Sequence, residues 1–130
     1  FDDKFTLVRI GYCAMRCKMS KEIIFKYLIK ATECIEPPVD AFVYILRYSI
    51  DNNTPREALP YLKKLSKLQK PNSINTLVNN NFYDYVRWHL ISIVSLLCGE
   101  ELMLGKFACL KAIKFANHPD DLKNINFFPK

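Results

Sequence analysis

The chain has 130 residues, half of them apolar and a quarter charged, with a formal net charge of +6. This is enough for one domain with a core of its own, and no apolar run approaches the roughly 18 residues that span a bilayer. Only three glycines and abundant helix formers argue against a β-sandwich. No basic-then-apolar leader is visible, so we expect an intracellular, cytoplasmic protein. A chain that opens at Phe1 is expected to be cut from a longer one or trimmed to its ordered part.

The positive charge comes mostly from lysines that are spread along the helical patterns. Nucleic-acid binding would require a dense basic patch with arginines and exposed aromatic side chains together. The spread of the lysines favours a solvated surface, so we do not expect a nucleic-acid partner.

The five cysteines are Cys13, Cys17, Cys34, Cys98 and Cys109. Their number is odd and they fall within helical patterns, which predicts reduced, mostly buried thiols. Cys13 and Cys17 share a helix face and could in principle share a metal. However, there is no CxxC pair, and His89 and His118 stand alone in the sequence. Small packing residues are therefore favoured over a zinc site, and we expect neither a metal nor a cofactor.

Residues 3–17 predict a first helix, and Lys18–Met19 predict a turn after it. Ser20 is a cap for a second helix, which Pro37–Pro38 end. The residues on or near one stripe of the first helix are Phe5, Val8, Ile10, Gly11, Ala14 and Met15. The inner face of the second helix is Ile23 or Ile24, Tyr27, Leu28 and Ala31.

Residues 37–71 predict a helix, a polar turn at 51–53 and a second helix that Pro71 ends. Thr54, Pro55 and Glu57 match a capping box with proline at the first helical position. Pro60 predicts a kink, or a helix that begins near Glu57. The expected inner face of the second helix is Ala58, Leu62, Leu65 and Leu68.

The segment 70–75 resembles a linker, and residues 79–81 are expected to open a long helix that Cys98–Gly99 end. Glu100–Glu101 open the next helix, which His118–Pro119 end. The face of that helix is Leu104, Phe107, Ala108, Lys111, Ala112 and Phe115. A short tail, 119–130, follows.

The stretch 37–71 resembles a tetratricopeptide repeat, a family of antiparallel helix pairs of about 34 residues. Ala58, Leu62, Leu65 and Pro71 follow the family's order of small, large, apolar and proline positions. Ile10 and Ile45 are 35 residues apart, as are Ile23 and Ala58. The resemblance implies an all-α domain over 1–130, with about three antiparallel hairpins stacked as a tetratricopeptide-like solenoid. Its approximate repeats are 3–36, 37–71 and 79–118.

A more specific resemblance covers 37–128. Its motifs are Pro37-Pro38-Val39-Asp40-Ala41, Lys70-Pro71, Phe82-Tyr83-Asp84-Tyr85, Gly99-Glu100 and Asn124-Ile125-Asn126-Phe127-Phe128. This order is similar to the repeat region behind the catalytic domain of family-2-like glycosyltransferases of giant viruses and some bacteria. It implies a companion module and not a transferase.

Catalytic parts are not expected in this chain. There is no Asp-x-Asp motif, no Gly-rich phosphate loop and no Ser/His/Asp set. The paired acids Asp2–Asp3, Glu100–Glu101 and Asp120–Asp121 are interpreted as helix caps, and the two histidines have no evident carboxylate partner. We therefore predict that the chain alone transfers no sugar.

Two functions remain open: a non-catalytic binding or scaffold module for a protein, a peptide or a glycan acceptor, and an accessory region of a larger glycosyltransferase. In the resembling family, the first helix of each repeat lines the concave binding side. The resemblance therefore implies that the binding residues are Val8, Tyr12, Met15, Arg16, Val43, Arg47, Ile50 and Asp51, with Arg87 from the third repeat.

The ends of the array are expected to be apolar, because each repeat buries its face against a neighbour. Phe1, Phe5, Phe127 and Phe128 are the candidate exposed aromatics. Self-association through these end faces is the corresponding expectation.

Overall fold

The computed structural model describes residues 3–71 and 79–130, and all regular structure within these ranges is helical. The predicted all-α class is thereby confirmed. The elements are α1 (Lys4–Arg16), α2 (Lys21–Thr32), α3 (Val39–Asp51), a 3-10 helix (Pro55–Tyr61), α4 (Leu62–Ser66), a π-helical turn (Phe82–Val86), α5 (Arg87–Cys98), α6 (Leu102–Ala116), α7 (Pro119–Asn124) and a final 3-10 helix (Ile125–Phe127).

Helices that are neighbours in sequence pack in pairs: α1 with α2, α3 with the 3-10 helix that precedes α4, and α5 with α6. Glycines let two of these pairs come close. A Cβ added at Gly11 would lie 2.7 Å from Cγ of Leu28, and one added at Gly105 would overlap Ser95. Small residues at these two crossings therefore set the distance between the paired helices.

The core lies around α3 and α5, which contact each other and bury residues on several sides. Ile24 and Leu28 from α2 and Leu62 and Leu65 from α4 complete it, each with almost no exposed surface. The predicted burial of Leu62 is confirmed. A helix that is apolar around most of its circumference requires neighbours on most sides, and α3 and α5 have them.

Three of the predicted helix boundaries depend on local chemistry that the structure confirms. The Asp3 carboxylate accepts the Phe5 amide, and the Ser20 hydroxyl accepts the Ile23 amide. Gly99 ends α5 with a φ of +65°, a left-handed conformation that glycine adopts without a Cβ clash.

The predicted capping box at Thr54 is wrong, and so is the long helix after it. The Thr54 side chain caps no amide, and the Glu57 carboxylate instead accepts the Lys21 ammonium at 2.9 Å. Residues 55–61 form a 3-10 helix, and α4 has only five residues. Pro60 is the physical cause, because it has no amide to donate and its ring clashes with the preceding turn of an α-helix.

The predicted role of Glu100–Glu101 as caps is also wrong. Glu101 is the residue before α6, but its φ is +55° and its side chain caps no amide. The Glu100 carboxylate pairs with Arg56, and that of Glu101 lies 3.9 Å from the Lys63 ammonium. The Ser95 hydroxyl donates to both glutamate carbonyls, at 2.8 and 3.0 Å, and so holds this tight turn.

Of the four phenylalanines expected at the ends, Phe5 and Phe127 are exposed as predicted. Phe128 is only 5% exposed, because its ring packs beside Gly105 of α6, so the prediction is wrong there. Phe1 lies outside the described residues, as does the 72–75 part of the predicted linker.

All five cysteines are free thiols, and Cys13 and Cys17 are exposed, contrary to the prediction of mostly buried cysteines. Both lie on the side of α1 that faces away from the core, while Ala14 between them is buried. Cys109 is buried as expected, and Cys34 and Cys98 are half-buried.

Candidate functional site

The residues expected on the concave side differ in how exposed their side chains are. Tyr12, Arg16, Arg47 and Asp51 are exposed, and Met15 and Ile50 are half-buried. Val8 and Val43 are buried in the core, where their side chains contribute packing and no surface. The exposed members on α1 and α3 are therefore the ones that a ligand can reach.

Three aromatic rings form a continuous line across successive helical pairs. Tyr12 of α1 lies 5.0 Å from Tyr44 of α3, and Tyr44 lies 6.0 Å from Phe82 of the π-helical turn, measured between ring centroids. Tyr12 is 40% exposed, and the other two rings are half-buried. We call these three side chains the aromatic row.

The aromatic row lies beside two arginine side chains. Within residues 3–71 and 79–130, neither Arg16 nor Arg47 forms an ion pair or donates a side-chain hydrogen bond. Arg16 follows Tyr12 by one helical turn and Arg47 follows Tyr44 by three residues, so each guanidinium lies on the same helix face as its tyrosine.

The electrostatic setting of Tyr44 agrees with this arrangement. Partial burial raises the pKa of the Tyr44 phenol, with smaller contributions from Asp40 and Tyr12, while Arg47 opposes the shift. The phenol therefore remains a neutral hydrogen-bond donor at neutral pH, next to the Arg47 guanidinium. Such a surface can stack on an aromatic or apolar group and bind an anionic one.

Arg87 was expected on the same side, but the structure places it elsewhere. Its guanidinium donates to the backbone carbonyls of Tyr83, Leu65 and Leu68 at 2.7–3.2 Å, and it lies 4.2 Å from the centroid of the Trp88 ring. Burial lowers the pKa of this guanidinium. Arg87 therefore fixes the end of α4 against α5 and leaves little for a ligand.

A cluster around Asp121 was missed by the sequence analysis. The Asp121 carboxylate is fully buried and accepts the Tyr85 hydroxyl at 2.6 Å, while its other oxygen lies 2.6 Å from Nδ1 of His89. The predictions that Asp121 is a cap and that His89 has no carboxylate partner are both wrong. The His118 imidazole caps α7 by accepting the Asp120 amide, which leaves Asp121 free to point inwards.

The geometry of this cluster is half of a hydrolytic constellation. A carboxylate that holds Nδ1 of an imidazole fixes its tautomer and leaves Nε2 as an acceptor. The nearby Tyr85 phenol and Cys109 thiol are poor nucleophiles, however. Burial, with the hydrogen bond to Asp121, raises the pKa of Tyr85, and burial raises the pKa of Cys109 to about 11. Both therefore stay protonated at neutral pH, and the cluster joins α7 to α5.

The Tyr85 hydrogen bond predicts a pH-dependent stability. A phenol whose folded-state pKa lies above the ordinary 10.0 stabilises the fold below that pH and loses this contribution as pH rises above it. Replacing Tyr85 with phenylalanine should cost about 1.5–3 kcal/mol at neutral pH, the range for a bond to a charged acceptor. Urea unfolding of both proteins should show a difference that narrows above pH 10.0. A difference that is constant with pH would contradict the assignment.

Comparison of the chain with protein-family models, with curated proteins and with solved structures gives no match. Among the described helices, none is long and apolar enough to cross a membrane. Over the same part of the chain, no three acidic, histidine or cysteine side chains are arranged to hold a metal ion.

Proposed function

We propose that this protein is a non-catalytic helical binding module that recognises a protein or peptide through the aromatic row and its flanking arginines. The observation that carries the proposal is the line Tyr12–Tyr44–Phe82, which joins three helical pairs through ring contacts of 5.0 and 6.0 Å. Aromatic and arginine side chains contribute most of the binding energy at protein interfaces.

A tetratricopeptide-like stacking of the helical pairs is part of this proposal. It is supported by the contacts that α3 makes with both α1 and α5, since the first helices of successive repeats are neighbours in such arrays. Under this arrangement the aromatic row crosses the first helices and follows the direction in which an extended peptide would lie.

The Arg16 and Arg47 guanidinium groups determine which chemical groups a ligand should carry. Each can bind a carboxylate through two parallel hydrogen bonds, and the rings between them can stack on an apolar side chain. The best ligand is therefore a short peptide with an aromatic or aliphatic residue close to an acidic one. A glycan acceptor would use the same rings but would not require the acidic group.

The test is selection of peptides from a random display library on the wild-type protein. Binding of the selected peptides should weaken about tenfold or more with Tyr12→Ala and, separately, with Arg47→Ala. Fluorescence anisotropy measures the affinities, and far-UV circular dichroism checks that each variant keeps its helices.

Lys67→Ala is the matched control, because Lys67 is an exposed cation after α4 that belongs to neither the aromatic row nor its flanking arginines. It should leave the affinities unchanged. If the selected peptides bind both site variants as tightly as the control, the aromatic row is not the binding surface. Binding of neutral oligosaccharides that is lost in Tyr12→Ala alone would assign the site to a glycan.

The accessory role beside a glycosyltransferase catalytic domain remains a prediction of the resemblance. Self-association through the end faces also remains a prediction, which light scattering over a range of concentrations tests.

A further inference from the structure

A second surface lies on α6 and shares no residue with the aromatic row. Met103, Phe107 and Leu110 follow one another at spacings of four and three residues, so they occupy one side of the helix. Met103 is 90% exposed and the other two are half-exposed. The sequence pattern placed Phe107 in one set with Ala108 and Ala112, but the structure buries the two alanines, with Gly105 and Cys109, and leaves Phe107 exposed.

This apolar side borders an open groove. Its lining is Leu102, Met103, Lys106, Phe107, Leu110, Pro129 and Lys130, around a volume of about 510 Å³. The Lys106 ammonium donates to the Pro129 carbonyl at 2.9 Å and holds the C-terminal residues along α6 as one wall. We call this feature the α6 groove.

Packing against buried residues holds the floor of the groove in place. Phe107 meets the buried Trp88 ring edge-on at 5.8 Å, and Phe128 packs beside Gly105 on the far side of α6. The Phe107 ring, which is held in this way, loses little freedom when a ligand binds, which favours affinity.

The charged side chains within α6 and in the opposite wall of the groove are all lysines. The fifteen residues of α6 contain Lys106, Lys111 and Lys114 and no acidic residue, and Lys130 lies in the opposite wall. The Lys111 ammonium lies 5.5 Å from the centroid of the Phe107 ring, directly beside the apolar stripe. Within the described ranges, none of these four lysines forms a salt bridge.

Charge complementarity identifies the occupant. A row of apolar side chains at helical spacing, bordered by lysines, matches a helix with an apolar face and acidic flanks. A second copy of the same groove would bring lysines against lysines. Pro129 and Lys130 stand beside the apolar row as a wall, which favours a helix that fits the groove over a flat bilayer surface.

We propose that the α6 groove docks an acidic amphipathic helix of a partner protein. The partner's apolar residues fill the space along Met103, Phe107 and Leu110, and its carboxylates pair with the lysines at the borders. This inference does not depend on the aromatic row, because the two surfaces have no residue in common.

The experiment uses three fluorescein-labelled synthetic helices with identical leucine positions: one with glutamate flanks, one with lysine flanks, and a scrambled glutamate peptide. Anisotropy should detect binding of the ordered acidic helix alone, and its affinity should fall as salt is added, because exposed charges are screened. Met103→Glu should weaken that binding about tenfold or more. Lys114→Glu should also weaken binding of the acidic helix.

Ile35→Glu is the matched control, since Ile35 is 89% exposed but lies in the α2–α3 connection. It should leave the affinity unchanged, as should Tyr12→Ala, which separates this test from that of the aromatic row. Equal binding of the acidic and the lysine helix, or no loss with Met103→Glu, would overturn the proposal.

Two other outcomes would also overturn it. Co-sedimentation with phosphatidylserine vesicles that Met103→Glu abolishes, without binding of the acidic helix, would assign the groove to a membrane surface. A dimer that Met103→Glu dissociates, again without binding of the helix, would assign it to a second copy of the chain.

Discussion

Replacing Leu62 with alanine is expected to lower the free energy of unfolding by about 2–5 kcal/mol, the range for removing a large aliphatic side chain from a core. Leu62 is the first residue of α4 and has no exposed surface. Because α4 has only five residues, its own hydrogen bonds cannot hold it, and it depends on Leu62 and Leu65 for its position.

Urea unfolding followed by circular dichroism measures this loss. Leu97→Ala is the control, because Leu97 is a leucine on the exposed side of α5 and should change stability by less than about 0.5 kcal/mol. A loss for Leu62→Ala that is no greater than the loss for Leu97→Ala would mean that α4 does not pack as described.

The second large effect is expected at Asp121. Its carboxylate accepts hydrogen bonds from Tyr85 and His89, and bonds to a charged group contribute about 1.5–3 kcal/mol each. Asp121→Ala should therefore destabilise the fold by about 3 kcal/mol or more, since it also leaves the Tyr85 hydroxyl without its partner.

Asp120→Ala provides a neighbour-matched control. Asp120 precedes Asp121 in α7, and its side chain is mostly exposed, so its removal should change stability by less than about 0.5 kcal/mol. In thermal unfolding, Asp121→Ala should have a clearly lower Tm than Asp120→Ala. Similar transitions for both would show that the buried carboxylate contributes nothing beyond a surface charge.

The helices themselves could be predicted from the sequence because their signals are local. Apolar spacing gave α1, α2 and α3, and Ser20 and Gly99 marked boundaries through their own side-chain and backbone preferences. The capping box at Thr54 failed because Pro60, five residues beyond Pro55, prevents the α-helix that such a box would begin.

The partners of polar side chains could not be predicted, because they are distant in sequence. Asp121 and His89 are 32 residues apart, and Arg87 reaches carbonyls 19 and 22 residues away. Only the packing of α4, α5 and α7 brings these groups together. The α6 groove has the same origin, since a helix that is apolar on several sides does not indicate which side a neighbour covers.

Trp88 is the single tryptophan of the chain, and its position makes it an internal optical reporter. It is buried, with the Arg87 guanidinium 4.2 Å and the Lys111 ammonium 5.7 Å from its ring centroid and Phe107 packed on its edge. All indole emission therefore comes from the junction of α5 with the floor of the α6 groove. A ligand that displaces Lys111 or Phe107 changes the surroundings of that one ring, so native fluorescence can follow both occupancy and unfolding without any attached dye.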